Sequence, residues 1–154
     1  MLKDVFDINL IYPPHPEESR MPDIALCTEE EITKLVHDFY AEVRRDEVLG
    51  PIFNEHVEDW DHHLAKLVDF WSAILLKTRR FSGSPMVKHA ALPVLSEALF
   101  QRWLALFKQT ADRQANQPMA ERACMMAARI AQSLWLGYQI QRNPDDVPKE
   151  LFHA

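Results

Sequence analysis

The sequence predicts an all-α protein built on four substantial helices. Apolar residues recur at spacings of three and four in four separate segments, which is the pattern of helices that bury one face. The 154 residues include only three glycines, whereas a β-sandwich needs many tight turns. No segment has a convincing strand pattern, so we expect helix packed on helix.

The first predicted helix opens with a capping box. Thr28 can accept a hydrogen bond from the backbone near Glu31, whose carboxylate can reach back to the start of the helix. We expect the helix to end near Asp46, and Gly50-Pro51 then predicts a turn. The next three residues fit a short apolar corner of one helical turn. The predicted buried face carries Ile32, Leu35, Val36, Phe39, Tyr40 and Val43.

The second predicted helix covers about residues 59–77. Glycine and proline at 83 and 85 break the pattern, and a short turn after them carries His89. His62 and His63 are neighbours, so their side chains point about 100° apart and only one of them can face the core. We expect the inward one to be His63, because it shares a helical face with Leu67 and Trp71, with Phe70 beside that face.

Two more helices complete the predicted domain. Ser96 can cap the third, which runs to about Gln114 and carries Trp103 among its apolar residues. Asn116 is the candidate cap of the last, which ends at Asn143. We divide the chain into a proline-rich N-terminal extension (1–27), one helical domain (28–142) and a polar, loose C-terminal tail (143–154).

Composition excludes several classes of function. A formal net charge of −6 disfavours nucleic-acid binding, which requires clustered Lys and Arg. No apolar run approaches the roughly 20 residues of a membrane span. Asp4 and Asp7 interrupt what would be the core of a signal peptide, so we expect a cytoplasmic protein. The only cysteines, Cys27 and Cys124, are predicted to be free thiols.

A polar group within the aromatic face is the candidate site. Tyr40, His63 and Trp103 each need a hydrogen-bonding partner once buried, and burying them among apolar walls is costly without one. A metal-bound diatomic ligand would satisfy them. Two alternatives stay open: these residues belong to the plain core of a cofactor-free helical interaction domain, or His62, His63 and His89 hold a non-haem metal, although no ExxH motif accompanies them. The apolar walls are Phe39, Leu67, Phe70 and Trp71.

An ordered set of motifs resembles the group III truncated haemoglobins over about residues 28–142. The set has the family's order and spacing: Phe39-Tyr40, Leu49-Gly50-Pro51-Ile52-Phe53-Asn54, Trp60-Asp61-His62-His63, Phe70-Trp71, Lys88-His89, Leu92-Pro93 and Trp103-Leu104-Ala105-Leu106-Phe107. The resemblance implies a shortened globin fold, with two helices packed over two around haem b, so that residues 28–142 would form a truncated globin domain.

The resemblance also implies roles for individual residues. His89 would be the proximal iron ligand and His63 the distal histidine, with His62 as the alternative if the register shifts by one. Tyr40 would be the distal tyrosine and Trp103 the pocket tryptophan. The residues that match positions lining the porphyrin are Phe39, Phe53, Leu67, Phe70 and Trp71. Arg79 and Arg80 are only candidates for the haem propionates.

The implied function is the binding of O2, NO or another small ligand at the haem iron. A proximal histidine leaves the opposite axial position open. Each charge-assisted hydrogen bond to the bound ligand contributes roughly 1.5–3 kcal/mol, so several donors predict slow oxygen release, poorly suited to transport. Nitric oxide dioxygenase or peroxidase chemistry would need an external reductase. We expect a monomer or weak dimer.

Overall fold

The computed structural model describes residues 26–78 and 95–151. These two segments contain five α-helices. They are α1 (Glu29–Arg45), α2 (Leu49–His56), α3 (Trp60–Leu75), α4 (Glu97–Asp112) and α5 (Gln117–Arg142). The all-α prediction is therefore confirmed. None of these helices is both long and apolar enough to cross a membrane.

The helices form two packed pairs. Helix α1 packs against α3, and α4 packs against α5. The pairs meet where α1 contacts α4 and where α5 contacts α3, so that two helices lie over two. Apolar residues of all four long helices fill the space between the pairs, and several are completely buried, including Phe39, Phe107 and Ala127. Helix α2 contacts α1 and forms the corner between α1 and α3.

The predicted helix starts are confirmed by side-chain caps. Thr28 Oγ1 accepts from the backbone N–H of Glu31 at 3.2 Å, and the Thr28 N–H donates to Glu31 Oε1 at 2.9 Å, which completes the capping box. Ser96 caps α4, and Asn116 caps α5 through the N–H of Met119 at 3.0 Å. Helix α3 ends at Leu75, two residues before the predicted end, where Lys77 adopts a left-handed φ of 58°.

The predicted turn at Gly50-Pro51 is wrong, because both residues lie in the first turn of α2. Proline is tolerated there, since the first N–H groups of a helix have no intrahelical acceptor. Gly50 is needed because the two helices come close: a Cβ at Gly50 would lie 2.7 Å from the Arg44 carbonyl oxygen. The corner predicted as one helical turn is thus the eight-residue α2.

The C-terminal segment is held to the domain as far as Leu151, in contrast to the loose tail that its composition predicts. The Gln139 side chain donates to the Lys149 carbonyl at 2.8 Å and accepts from the Lys149 N–H at 2.9 Å. Gln132 accepts from the N–H of Leu151 at 2.9 Å, and Leu151 is completely buried. Cys27 is buried and Cys124 is half-buried, and the two do not form a disulfide, as predicted.

Candidate functional site

Tyr40 is the centre of the candidate site. Apolar residues at spacings of three and four turn one face of α1 inward, and Tyr40 lies on that face with 5% of its surface exposed. Burial raises the pKa of the Tyr40 hydroxyl, and hydrogen bonding by Trp103 only partly opposes that rise. The hydroxyl therefore stays protonated through the physiological pH range and can act as a hydrogen-bond donor.

Helix α3 brings His63 to Tyr40. Asp59 caps the helix, accepting from the N–H of His62 at 3.2 Å, and this fixes which way the two histidines point. His62 is exposed, whereas His63 is half-buried and its ring lies 6.1 Å from the Tyr40 ring, nearly perpendicular to it. The prediction that His63 is the inward histidine is confirmed.

Helix α4 contributes Trp103 and Phe107 from the opposite layer. The rings of Phe39 and Trp103 lie 5.3 Å apart, edge to face, and Trp103 stacks on Phe107 at 5.7 Å. The indole N–H of Trp103, which can only donate, also interacts with the Tyr40 hydroxyl and lowers its pKa in part. The polar trio predicted from the sequence, Tyr40, His63 and Trp103, is thus brought together.

The side chains predicted to form apolar walls differ in how deeply they are buried. Phe53, from α2, is half-buried with its ring 6.0 Å from that of Tyr40. Leu67, one turn after His63, is half-buried and packs against the core. Trp71 and Phe70 lie deeper: Trp71 stacks on Phe107 at 5.1 Å, and Phe70 contacts Trp71 at 5.9 Å.

Some candidate residues fall outside the residues that the structure describes. They include His89, predicted as the iron ligand, and the propionate candidates Arg79 and Arg80, so these roles stay predictions. Across 26–78 and 95–151, no three metal-binding side chains are grouped together.

Trp60 is a site residue that the sequence analysis did not select. Its ring lies 5.6 Å from that of His63 and 6.2 Å from that of Tyr40, and the guanidinium carbon of Arg44 lies 4.6 Å from its centre. The signal was available, because Trp60 precedes His63 by three residues and such pairs share a helical face. Phe107, one turn after Trp103, could have been found in the same way.

The chemistry of these side chains fits the haem that the resemblance implies. A porphyrin needs apolar and aromatic contacts for its faces and a polar group for the ligand on its iron. Phe53 and Leu67 are half-buried apolar residues that pack against the core, and the rings of Phe53 and His63 both lie close to the ring of the buried Tyr40. This mixture of one neutral donor and apolar walls suits a large flat group that carries a small ligand.

Comparisons with known proteins agree with this geometry. A family model described as "Bacterial-like globin" matches residues 25–135. The group 3 truncated hemoglobin ctb of Campylobacter jejuni is 36% identical over 115 residues, which are 70% of this chain and 91% of that protein. A crystal structure of group III truncated hemoglobin from Campylobacter jejuni superposes with a TM-score of 0.66 at 36% identity, covering 70% of this chain and 88% of the other.

The match spans α1 to α4 and most of α5, and it includes every described residue of the candidate site. The two-over-two arrangement of the helices is that of the shortened globin fold. The chain therefore belongs to the bacterial-like globins as a group III truncated haemoglobin, a family whose members bind haem and, through it, small diatomic ligands.

Proposed function

We propose that this globin binds haem b through His89 and releases oxygen slowly, because Tyr40 donates a hydrogen bond to the bound ligand with support from His63 and Trp103. The observation that carries the proposal is the burial of Tyr40, whose ring lies 6.1 Å from the imidazole of His63 and whose hydroxyl has a pKa that burial raises. When bound, the haem would supply an iron atom that binds a small diatomic ligand.

Trp103 orients the donor. Because an indole N–H can only donate, we propose that it donates to the Tyr40 oxygen and leaves the phenolic proton for the ligand. The surroundings of Tyr40 are apolar, and a hydrogen bond there is stronger than in water. A donor of this kind contributes roughly 1.5–3 kcal/mol when its acceptor carries charge, or about one to two decades in the rate of ligand release.

His63 is the second distal group. Its ring borders Tyr40, and its position on α3 is fixed by the Asp59 cap and by the contact with Trp60. We propose that it donates to the ligand directly or holds a proton near it. His62 serves as a matched control, since it is the adjacent histidine on the same helix but is exposed.

The oxygen dissociation rate tests the distal roles. We expect Tyr40→Phe to raise this rate by about 10- to 100-fold, which corresponds to the loss of one charge-assisted hydrogen bond. His63→Leu should raise it less, and His62→Leu should leave it unchanged. An unchanged rate in Tyr40→Phe would refute the donor assignment.

The absorption spectrum tests the proximal role of His89. We expect His89→Gly to lose the Soret and visible bands of histidine-ligated haem, and added imidazole to restore them by occupying the space of the missing ring. His56→Gly is the control, since His56 is exposed and its Nδ1 lies 2.8 Å from the Ile52 carbonyl oxygen. Identical axial ligation in His89→Gly without imidazole would overturn the assignment.

Redox chemistry on the bound ligand is a second candidate function. Several donors around one ligand favour retention over transport, and retained oxygen is available to a second reactant. Nitric oxide dioxygenation (NO + O2 + e⁻ → NO3⁻) would take its electron from an external reductase. Mixing the oxygen-loaded protein with NO should then yield nitrate in stoichiometric amount. If mixing yields no nitrate, dioxygenase activity is excluded. The corresponding test for peroxidase activity is the peroxide-dependent oxidation of a dye.

A further inference from the structure

A part-buried ion pair connects three elements around the candidate site. Asp46 ends α1, and its carboxylate accepts from Arg102 of α4 through two contacts, Nε at 2.7 Å and Nη2 at 2.9 Å. The Asp46 side chain is 8% exposed. Two-point contacts between Arg and a carboxylate fix orientation as well as distance. The pair therefore fixes how α4 lies against the end of α1.

The same carboxylate also holds α2. Its Oδ2 accepts from the backbone N–H groups of Val48 at 3.0 Å and Leu49 at 2.8 Å, at the start of that helix. The Asp46 carbonyl accepts from the N–H of Gly50 at 2.8 Å. Asp46 thus sets the start of α2 relative to α1, while its partner Arg102 sets α4.

The two elements held by Asp46 are those that carry the neighbours of Tyr40. Phe53 lies one turn after Leu49 on α2, and Trp103 follows Arg102 directly on α4. Phe53 contacts the Tyr40 ring at 6.0 Å, and Trp103 contacts Phe39, the residue beside Tyr40, at 5.3 Å. A shift of either helix would move one of these rings relative to the Tyr40 hydroxyl.

We propose that the Asp46–Arg102 pair is a positioning device for the distal site: it sets Phe53 and Trp103 against Tyr40 and so sets the direction of the Tyr40 hydroxyl. Arg102 and Asp46 touch neither haem nor ligand in this role and act through the two rings. The inference rests on the proposed function, because it assigns the pair's effect to the hydrogen bond that Tyr40 donates.

A second ion pair between the same helices provides a matched control. Arg113, the C-cap residue of α4, lies 3.5 Å from Glu42 of α1, with side chains 60% and 31% exposed. Arg113→Gln removes an α1–α4 ion pair without touching Asp46, α2 or the distal rings. Arg102→Gln removes the proposed device, and Arg102→Lys keeps the charge but loses the two-point geometry.

The test combines three measurements on the haem-loaded protein. The oxygen dissociation rate and the C–O stretching frequency of the carbon monoxide form report the hydrogen bond at the ligand. Near-ultraviolet circular dichroism reports the fixed arrangement of the aromatic rings. We expect Arg102→Gln to raise the rate by about three- to tenfold, as a coupled residue does when its contact is lost, and to move the C–O stretch to higher frequency. Arg102→Lys should lie between Arg102→Gln and wild type.

The outcomes separate this inference from the function on which it rests. Changes in Arg102→Gln and Asp46→Asn that Arg113→Gln lacks would support it. Equal changes in Arg102→Gln and Arg113→Gln would overturn it, since general packing would explain them. If Tyr40→Phe changes the ligand readouts and Arg102→Gln does not, the positioning role fails while the donor role of Tyr40 stands. If Tyr40→Phe changes nothing, the donor role fails, and the circular dichroism of Arg102→Gln still decides whether Arg102 positions the rings.

Discussion

The indole of Trp60 packs edge-on against the imidazole of His63, with ring centroids 5.6 Å apart and planes at 84°. The guanidinium carbon of Arg44 lies 4.6 Å from the centre of the Trp60 ring, a cation–π contact at an exposed arginine. Trp60 also contacts Tyr40 at 6.2 Å. One half-buried indole therefore contacts both distal polar residues as well as Arg44.

Truncation of Trp60 should make the distal site more accessible to small ligands. We expect Trp60→Ala to speed carbon monoxide association several-fold, because the ring that contacts His63 and Tyr40 is lost. It should also destabilise the fold by about 2 kcal/mol, less than a fully buried tryptophan would. Flash photolysis measures the first effect and urea unfolding the second.

The control for this truncation is Trp60→Phe. A phenyl ring retains most of the cover, so the association rate should stay near that of wild type. Equal rates in Trp60→Ala and wild type would show that Trp60 does not limit ligand entry.

Features that depend on a single helix could be predicted from the sequence, and they identified most of the described residues of the site. The period of α1 identifies Phe39 and Tyr40 as buried, and the 100° rotation between neighbours distinguishes His63 from His62. The caps at Thr28 and at the start of α4 and α5 follow from short-range side-chain chemistry, which a sequence displays directly.

Contacts between distant segments could not be predicted in this way. Asp46 and Arg102 are 56 residues apart, and nothing in either local pattern indicates that they meet. Leu151 is likewise held by a hydrogen bond to Gln132 of α5, 19 residues earlier, which the polar composition of the tail does not indicate. Gly50-Pro51 is locally a turn signal, and only the close approach of α2 to α1 explains a glycine inside a helix there.

Gly50→Ala should destabilise the protein, although alanine has the higher helix propensity. Propensity alone predicts a gain of about 1 kcal/mol in a helix interior. Here the new Cβ would meet the Arg44 carbonyl oxygen at 2.7 Å, and backbone atoms cannot yield as a flexible side chain would. We expect a net loss of about 1–3 kcal/mol in the free energy of urea unfolding, as in overpacked cores.

The matched control for Gly50→Ala is Pro51→Ala. Pro51 is exposed and adjacent on the same helical turn, so alanine there should change stability by less than about 1 kcal/mol, mainly through the unfolded chain. Stabilisation by Gly50→Ala would show that α2 can move away from α1 at little cost.

Protonation of Asp46 should account for part of the stability that the fold loses in acid. Hydrogen bonding from Arg102, together with the backbone N–H groups of Leu49 and Val48, lowers the pKa of the Asp46 carboxyl from 3.8 to about 2. A lowered folded-state pKa contributes stability that is fully present above the unfolded value and is lost as the pH falls from about 4 to about 2. Urea unfolding measured across this range should therefore show a smaller decline in Asp46→Asn than in wild type.

An exposed carboxylate on α4 controls for general acid effects. Asp112 pairs with Lys108 at 2.9 Å, with side chains 58% and 70% exposed, and such surface pairs contribute little to stability. Asp112→Asn should follow the wild-type decline. If Asp46→Asn follows it too, the carboxylate of Asp46 is not held as the geometry indicates.

Tyr40 should make the protein sensitive to alkali. Burial raises the pKa of its hydroxyl above the ordinary value of 10.0, and hydrogen bonding by Trp103 offsets this only in part. The unfolded chain therefore releases this proton at a lower pH than the folded protein does. The contribution is fully present below pH 10 and is lost progressively as the pH rises toward the folded-state pKa. Because phenylalanine has no proton to release, the free energy of unfolding of Tyr40→Phe should fall less steeply above pH 10 than that of wild type. All other titrating groups are shared, so parallel curves would mean that the Tyr40 hydroxyl ionises as readily in the fold as in the unfolded chain, and its role as a buried neutral donor would be lost.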